Sequence, residues 1–268
     1  MSVSRREFLQ AGAAVMAGSN AVAHDQGGGR AAPAVTVKAL VFDTFGTVVD
    51  WRSSVAREVE ALAKQKGVAL DAATFADAWR GGYGPSMNRV RSGELPWTKL
   101  DALHRMTLDK ILVDFRFTGL SEEEKDSLNH AWHRLTPWPD AVAGLTRLKK
   151  KFIIAPLSNG NISLMTDLAK HSGLPWDVIL GAELVRHYKP DREVYQSAAD
   201  ILDLKPADVM MVAAHLGDLR AAKQGGLRTA FVTRSKEFGP AGKPDLKADG
   251  VADVSATDFN DLARQLGA

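Results

Sequence analysis

Cysteine is absent from the 268 residues. That excludes disulfides, thiolate metal sites and a cysteine nucleophile together. A strong excess of either charge is missing too, because 34 Lys and Arg face 32 Asp and Glu for a formal net charge of +2. Nothing in that balance favours nucleic acid over a small molecule as partner. No apolar run approaches the roughly 20 residues that span a bilayer. No GxGxxG or GxxxxGK[ST] motif occurs, so dinucleotide and P-loop readings are dropped, and no internal repeat is found. What is present is ordinary: 45% apolar and 25% charged residues, a composition that excludes disorder as the main state. The length suits one large domain, or one domain with an insertion.

Residues 1–36 read as a signal and linker, not as fold. The chain opens with Arg5-Arg6 followed by Phe8-Leu9, then a short, weakly apolar Ala/Gly stretch, then Ala21-Val22-Ala23 as a small-x-small cleavage site. A charged start, a short apolar core and such a site describe a secretory signal, here resembling the twin-arginine type. The expectation is a periplasmic protein with no stable membrane anchoring after cleavage. The plainer reading is an N-terminal extension, which would leave the protein cytoplasmic. The stretch from His24 to Pro33 is Gly/Ala-rich and reads as a linker.

Beyond it, residues 37–45 (VKALVFDTF) form a continuous apolar run, the pattern of a strand buried on both faces of a parallel sheet. Similar runs lie at 152–157, 178–180, 209–214 and 229–232, with helical patterns at 141–150, 162–171, 191–202 and 219–224 between them. This alternation predicts an α/β fold with a doubly wound parallel sheet. Between Asp50 and about Pro137 no strand pattern appears. Helices are predicted instead at 53–64, 71–79, 97–113 and 121–135, an all-helical insertion placed to act as a cap. The predicted domains are an α/β core at 37–51 plus 137–268 and a helical cap at 52–136. Polar residues follow the apolar runs at Asp43, Ser158-Asn159 and His215 to Asp218. Ligands bind at the carboxyl ends of strands in such sheets.

Four segments in order then carry a resemblance: Val41-Phe42-Asp43-Thr44-Phe45-Gly46-Thr47, Leu157-Ser158-Asn159-Gly160, Tyr188-Lys189-Pro190, and Val212 to Asp218. Together they resemble the haloacid dehalogenase superfamily, whose Rossmann-like core presents a nucleophilic aspartate at the end of its first strand. Most members of that superfamily are magnesium-dependent phosphatases. Their first motif carries a second Asp that protonates the leaving alkoxide, and here that position is Phe45. Their fourth motif carries an acidic metal ligand five residues before a second Asp, and here that position is Ala213. A phosphate ester would lack leaving-group protonation and charge neutralisation, whereas a halide departs as a stable anion.

The pattern is therefore similar to the metal-independent type II (S)-2-haloacid dehalogenases, and no cofactor is implied. The resemblance implies these roles: Asp43 as nucleophile, Thr47 orienting it, Arg80 receiving the halide, and Lys189 keeping Asp43 ionised. Asp218 restrains Lys189, while Ser158, Asn159, Tyr195 and Phe45 form the substrate-binding set. Arg52 and Arg89 are rivals for the role of Arg80. The family also implies a homodimer and a short 2-haloacid as the small-molecule partner. The chain departs from its pattern at Ala213, where the family carries a serine, and at His215, where it carries an asparagine. His215 is either the base for the hydrolytic water or a helix-capping residue, with Asp218 and Lys189 as the alternative activators. His130 and His133, spaced i, i+3, read as a solvated face. The competing functions are a phosphatase of the same fold and a catalytically silent small-carboxylate binding protein.

Overall fold

A computed structural model describes residues 36–268. The signal and linker expected over residues 1–36 lie almost wholly outside them. In chain order the elements are β1 (Ala39–Phe42), β2 (Val49–Asp50), α1 (Trp51–Lys66), α2 (Ala72–Gly81), α3 (Tyr83–Arg91), α4 (Leu100–Asp114), α5 (Glu122–Asn129), β3 (Thr136–Pro137) and α6 (Ala141–Lys149). There follow β4 (Ile153–Ser158), α7 (Ile162–Ser172), β5 (Leu180–Gly181), α8 (Ala182–Val185) and α9 (Arg192–Ile201). The chain closes with β6 (Val209–Ala213), α10 (Leu216–Gln224), β7 (Arg228–Val232), β8 (Val254–Ala256) and α11 (Phe259–Gln265).

Six strands form one parallel sheet in the order β5-β4-β1-β6-β7-β8. All four residues of β1 are buried, because successive side chains point to opposite faces and both faces are covered. Leu40 and Phe42 join the core built with α6, α7 and α11, while Ala39 and Val41 join the one built with α9 and α10. Phe42 lies edge-on to Phe259, with ring centroids 5.4 Å apart, and packs on Trp176 at 5.5 Å. Truncating such a ring to Ala costs about 3–5 kcal/mol. The chain is thus doubly wound around β1, and the crevice between the ends of β4, β1 and β6 is where the strand order reverses.

Local signals explain the helices over residues 51–129. Asp50 accepts from the Ser53 amide at 3.0 Å to start α1, and Gly67 ends it in the left-handed conformation at φ 64°. Asp71 caps α2, and Ser121 with Glu124 forms a capping box on α5. Trp51, Trp79 and Trp132 are fully buried among these helices, and Trp79 donates to the His104 carbonyl at 2.9 Å. Among the described residues no helix is long and apolar enough to cross a membrane.

Several local expectations are corrected. The helix expected over 121–135 stops at Asn129 and continues as a single 3₁₀ turn, His130–His133. His133 is not on a solvated face. It is buried, with Nδ1 2.9 Å from an Asp167 carboxylate oxygen and Nε2 3.1 Å from one of Asp101. It thereby ties α4 to α7. The strand expected at 178–180 shrinks to Leu180–Gly181, and α3, β8 and α11 were not expected at all. The segment after β7 is pinned by Arg234, whose guanidinium forms a two-pronged pair with Asp140 at 2.7 and 2.9 Å and donates to the Thr47 carbonyl at 2.8 Å. That anchor holds the following residues over the end of β1.

Candidate active site

Asp43 sits one residue beyond β1, its amide bonded to the Val212 carbonyl at 3.0 Å. Its carboxylate meets three donors. Thr47 Oγ1 donates to Oδ2 at 2.7 Å, and Lys189 Nζ donates to Oδ1 at 3.0 Å. His215 Nδ1 lies 3.0 Å from Oδ2. The Thr47 hydroxyl in turn accepts from the Ala214 amide at 3.0 Å, which fixes its proton toward Asp43. A carboxylate offers about four lone-pair directions, so three bonds orient it and leave one free to attack. Burial alone would raise the Asp43 pKa. The Lys189 charge, the bond and charge of His215 and the Thr47 bond outweigh it, holding the carboxyl well below the usual range.

Lys189 precedes a cis proline and is itself buried. Its amide donates to Asn159 Oδ1 at 2.7 Å, and its ammonium bridges Asp43 and Asp218, the latter at 2.6 Å. Burial works against that ammonium, but the charges of Asp218 and Asp43 keep its pKa above the ordinary lysine value. Both oxygens of Asp218 are engaged, since its second one accepts from the Tyr195 hydroxyl at 2.5 Å. Burial and the Asp43 charge raise the Asp218 pKa despite Lys189. Tyr195, grouped above with the substrate-binding residues, is fully buried and its hydroxyl is tied up by Asp218. It positions that carboxylate and presents nothing to a pocket. Ser158 ends β4 buried, its hydroxyl accepting from the Gly160 amide at 3.0 Å, with Asn159 beside it.

Arg80, near the end of α2, lies over three rings: Tyr83 at 3.9 Å, Trp51 at 5.5 Å and Phe45 at 5.7 Å. Its Nη1 is buried without a hydrogen-bond partner. Both rivals are occupied. Arg52 makes two 2.7 Å bonds to Asp77, and Arg89 bonds Glu94 at 2.5 Å. Neighbouring His104 is buried, and burial lowers its pKa to about 3, so a neutral ring adjoins the guanidinium. A cleft of about 710 Å³ lined by Trp51, Arg80, Phe238 and Lys243 opens on this cage.

His215 does not cap α10 with its side chain, although it stands at the capping position. The Leu216 amide is satisfied by Asp245 at 2.9 Å instead. The imidazole spans two carboxylates, Asp43 on Nδ1 and Glu237 on Nε2, the latter at 2.9 and 3.0 Å. Burial would lower its pKa, but those two partners raise it to about 10. Glu237 is not foreseen by the sequence reading. It is 1% exposed, accepts from Trp51 Nε1 at 3.2 Å, and fills the space of a Gly46 side chain: a Cβ there would stand 2.0 Å from Glu237 Oε1. Only a glycine at position 46, with φ +89°, admits it. Trp51 and Tyr83 were also missed as parts of the Arg80 cage. Among the described residues no group of three His, Asp or Glu is arranged to hold a metal ion.

The sequence profile of the haloacid dehalogenase-like hydrolases matches residues 37–226. The chain belongs to that family. Among solved structures, the defluorinating L-2-haloacid dehalogenase Rha0230 is 49% identical, with a TM-score of 0.84 over 88% of this chain and 98% of that one. Among curated relatives, (S)-2-haloacid dehalogenase 4A of Burkholderia cepacia is 30% identical over 74% of this chain and 84% of its own length. Phosphatases of the family match as well: the phosphoglycolate phosphatase of Neisseria meningitidis is 29% identical over 74% of this chain and 80% of its own. The parallel sheet is the family's α/β core; three of the four motifs follow the ends of β1, β4 and β6, and the third, Tyr188-Lys189-Pro190, lies in the loop between α8 and α9.

Proposed function

We propose that the chain is a hydrolase of carbon–halide bonds that converts short (S)-2-haloalkanoic acids to (R)-2-hydroxy acids. Ser158 and Asn159 receive the substrate carboxylate, and Phe45, buried and grouped above with the substrate-binding residues, acts from behind Arg80 as one wall of its cage. Asp43 attacks C2 from the side opposite the halogen. The C–X bond breaks with its electrons on the halide, which leaves toward Arg80. Lys189 keeps Asp43 ionised, Thr47 aims it, and Asp218, fixed by Tyr195, holds Lys189. Water then attacks the carboxyl carbon of the Asp43 ester rather than C2, so the single inversion persists in the product. Splitting one difficult displacement this way is the benefit of a covalent intermediate.

The observation that carries this reading is the pairing of a locked, ionised Asp43 with an unpartnered Arg80 donor in an aromatic cage. The phosphatase alternative meets Phe45 and Ala213 where that chemistry needs a general acid and a metal ligand, and both are buried apolar side chains. A halide-release panel of 2-haloacids from fluoroacetate to 2-bromopropionate, run with and without EDTA, tests the assignment. Release that survives EDTA supports it. Release lost in EDTA and restored by Mg²⁺, or phosphate ester hydrolysis without halide release, contradicts it. We also propose export through the Arg5-Arg6 signal and assembly as a homodimer. Cell fractionation of an Arg5→Lys, Arg6→Lys variant tests the first, and sedimentation tests the second.

A further inference from the structure

The imidazole of His215 is bracketed. Both its nitrogens face carboxylate oxygens at about 3 Å, Asp43 on one side and Glu237 on the other. Ionised carboxylates only accept hydrogen bonds, and a neutral imidazole has one donor and one acceptor. Both contacts are satisfied together only by the imidazolium. The resting ring is therefore already charged and unable to accept a proton. The other candidate activators are no better placed. The Lys189 ammonium sits between two carboxylates with no lone pair to accept a proton, and Asp218 is bonded to Lys189 and Tyr195 with no hydrogen bond to Asp43 or His215 among the described residues.

Resting on the function proposed above, we infer that the first half-reaction switches on the base for the second, and that Glu237 is the residue that makes the switch work. Alkylation turns Asp43 into a neutral ester. His215 then keeps one carboxylate partner of two, and its Nδ1 faces a group that no longer holds a proton on it. The imidazolium gives the Nδ1 proton to solvent, while Nε2–H stays on Glu237. The neutral ring is left in the tautomer whose basic nitrogen points at the ester. Glu237 is fixed for this by its burial, by the indole of Trp51 and by its seat against Gly46. The other charges around the ring are Lys189, reached through Asp43, and Asp218 and Asp245 from α10 and its capping loop. None of these is within bonding distance of the imidazole among the described residues.

Water oxygen bonds to the Asp43 carboxyl carbon as His215 Nδ1 takes a water proton, and the carbonyl electrons move to oxygen. Collapse breaks the bond between that carbon and the substrate oxygen. The departing alkoxide takes the proton from Nδ1 and leaves as the hydroxy acid. The new Asp43 carboxylic acid passes its proton to His215, which restores the carboxylate and imidazolium. One proton per turnover has reached solvent, and it left before hydrolysis began.

The test is a single turnover of 2-chloropropionate by excess enzyme near neutral pH, following chloride, acid release by indicator dye, and the Asp43 ester by quenching and intact mass. In the wild type, acid release should keep pace with chloride and precede ester decay. In His215→Asn, acid should appear only as the ester decays, with decay slowed about 10²- to 10⁴-fold. In Glu237→Gln, ester decay should slow at least ten times more than chloride release. Its acid limb should also move to lower pH, because no carboxylate then holds the imidazolium, and Glu237→Asp should recover part of both. The inference is overturned if wild-type acid appears only with ester decay, or if the limb stays in place in Glu237→Gln. Absence of both chloride and ester in the wild type refutes the dehalogenase reading itself, and the switch with it. Chloride and ester formation without early acid refutes the switch alone.

Discussion

Replacing Arg80 by Met should separate activity from stability in opposite directions. The substitution keeps an unbranched apolar stem against Tyr83, Trp51 and Phe45 but removes the guanidinium that lies 3.9 Å over the Tyr83 ring. In the folded enzyme that guanidinium carries a buried Nη1 with no acceptor, and Arg80 makes no ion pair with a described carboxylate. Leaving a buried donor unsatisfied costs about 1–3 kcal/mol, which contact with the aromatic faces offsets by roughly 1–2 kcal/mol. The two nearly cancel, so the variant should unfold within about 1 kcal/mol of the wild type, or be slightly more stable. Catalysis has no such compensation. A donor aimed at charge that develops only in the transition state is worth about 2.7–4 kcal/mol, a factor of about 10² to 10³. That loss should fall on ester formation, because the halide has left before hydrolysis starts. Rapid-quench measurement of chloride and ester, beside urea unfolding, reads both quantities. Equal slowing of the two half-reactions, or destabilisation beyond about 2 kcal/mol, would refute the reasoning. An unaffected enzyme would return the halide role to Arg52 or Arg89.

Two further outcomes follow from the same geometry. Lys243 is exposed at the rim of the cleft that opens on Arg80, so Lys243→Glu should lower kcat/KM for an anionic substrate by up to about tenfold at low salt and leave kcat unchanged. The difference should fade as salt shortens the screening length, and a salt-independent loss would argue against steering. His133, buried between Asp101 and Asp167, has its pKa raised above 6.5: burial lowers it, but the bonds to the two carboxylates prevail. A raised folded-state value means stability that is fully present below 6.5 and is lost as pH rises through the folded-state value. Wild type should exceed His133→Gln by about 1–3 kcal/mol in acid, with the gap narrowing toward alkaline pH; a gap that widens would reverse the assignment.

The central strands were legible because β1, β4 and β6 are covered on both faces and read as unbroken apolar runs. The edge strand β8 is half-exposed and three residues long, too short for a pattern. Helix α3 was hidden by Gly84-Pro85, which reads as a turn, although proline is tolerated in a first helical turn where no partner for its nitrogen exists. In the site, Asp43, Thr47, Ser158, Asn159 and Asp218 were visible because each stands in or beside a segment that follows an apolar run, whereas Lys189, in the loop between α8 and α9, was visible only through the Tyr188-Lys189-Pro190 motif. Arg80 was named from the resemblance alone; that Arg52 is engaged by Asp77, a carboxylate on the next helix, is information only the fold supplies. His133 looked solvated because Asp167 reaches it from a different helix. Glu237 lies in a loop with no periodicity, and its meaning comes from contacts with His215, Trp51 and Gly46 that sequence order does not reveal.

The covalent route requires that Asp43 itself carry the substrate and that water attack its carboxyl carbon. A single turnover of (S)-2-chloropropionate in ¹⁸O-water with enzyme in excess tests this most directly, reading both the lactate and the peptide that contains Asp43. The covalent route yields unlabelled lactate of R configuration and one ¹⁸O in the Asp43 carboxylate, with label reaching lactate only from the second turnover. Lactate labelled in the first turnover, with Asp43 unlabelled, would mean that water displaces the halide directly and would contradict the covalent route.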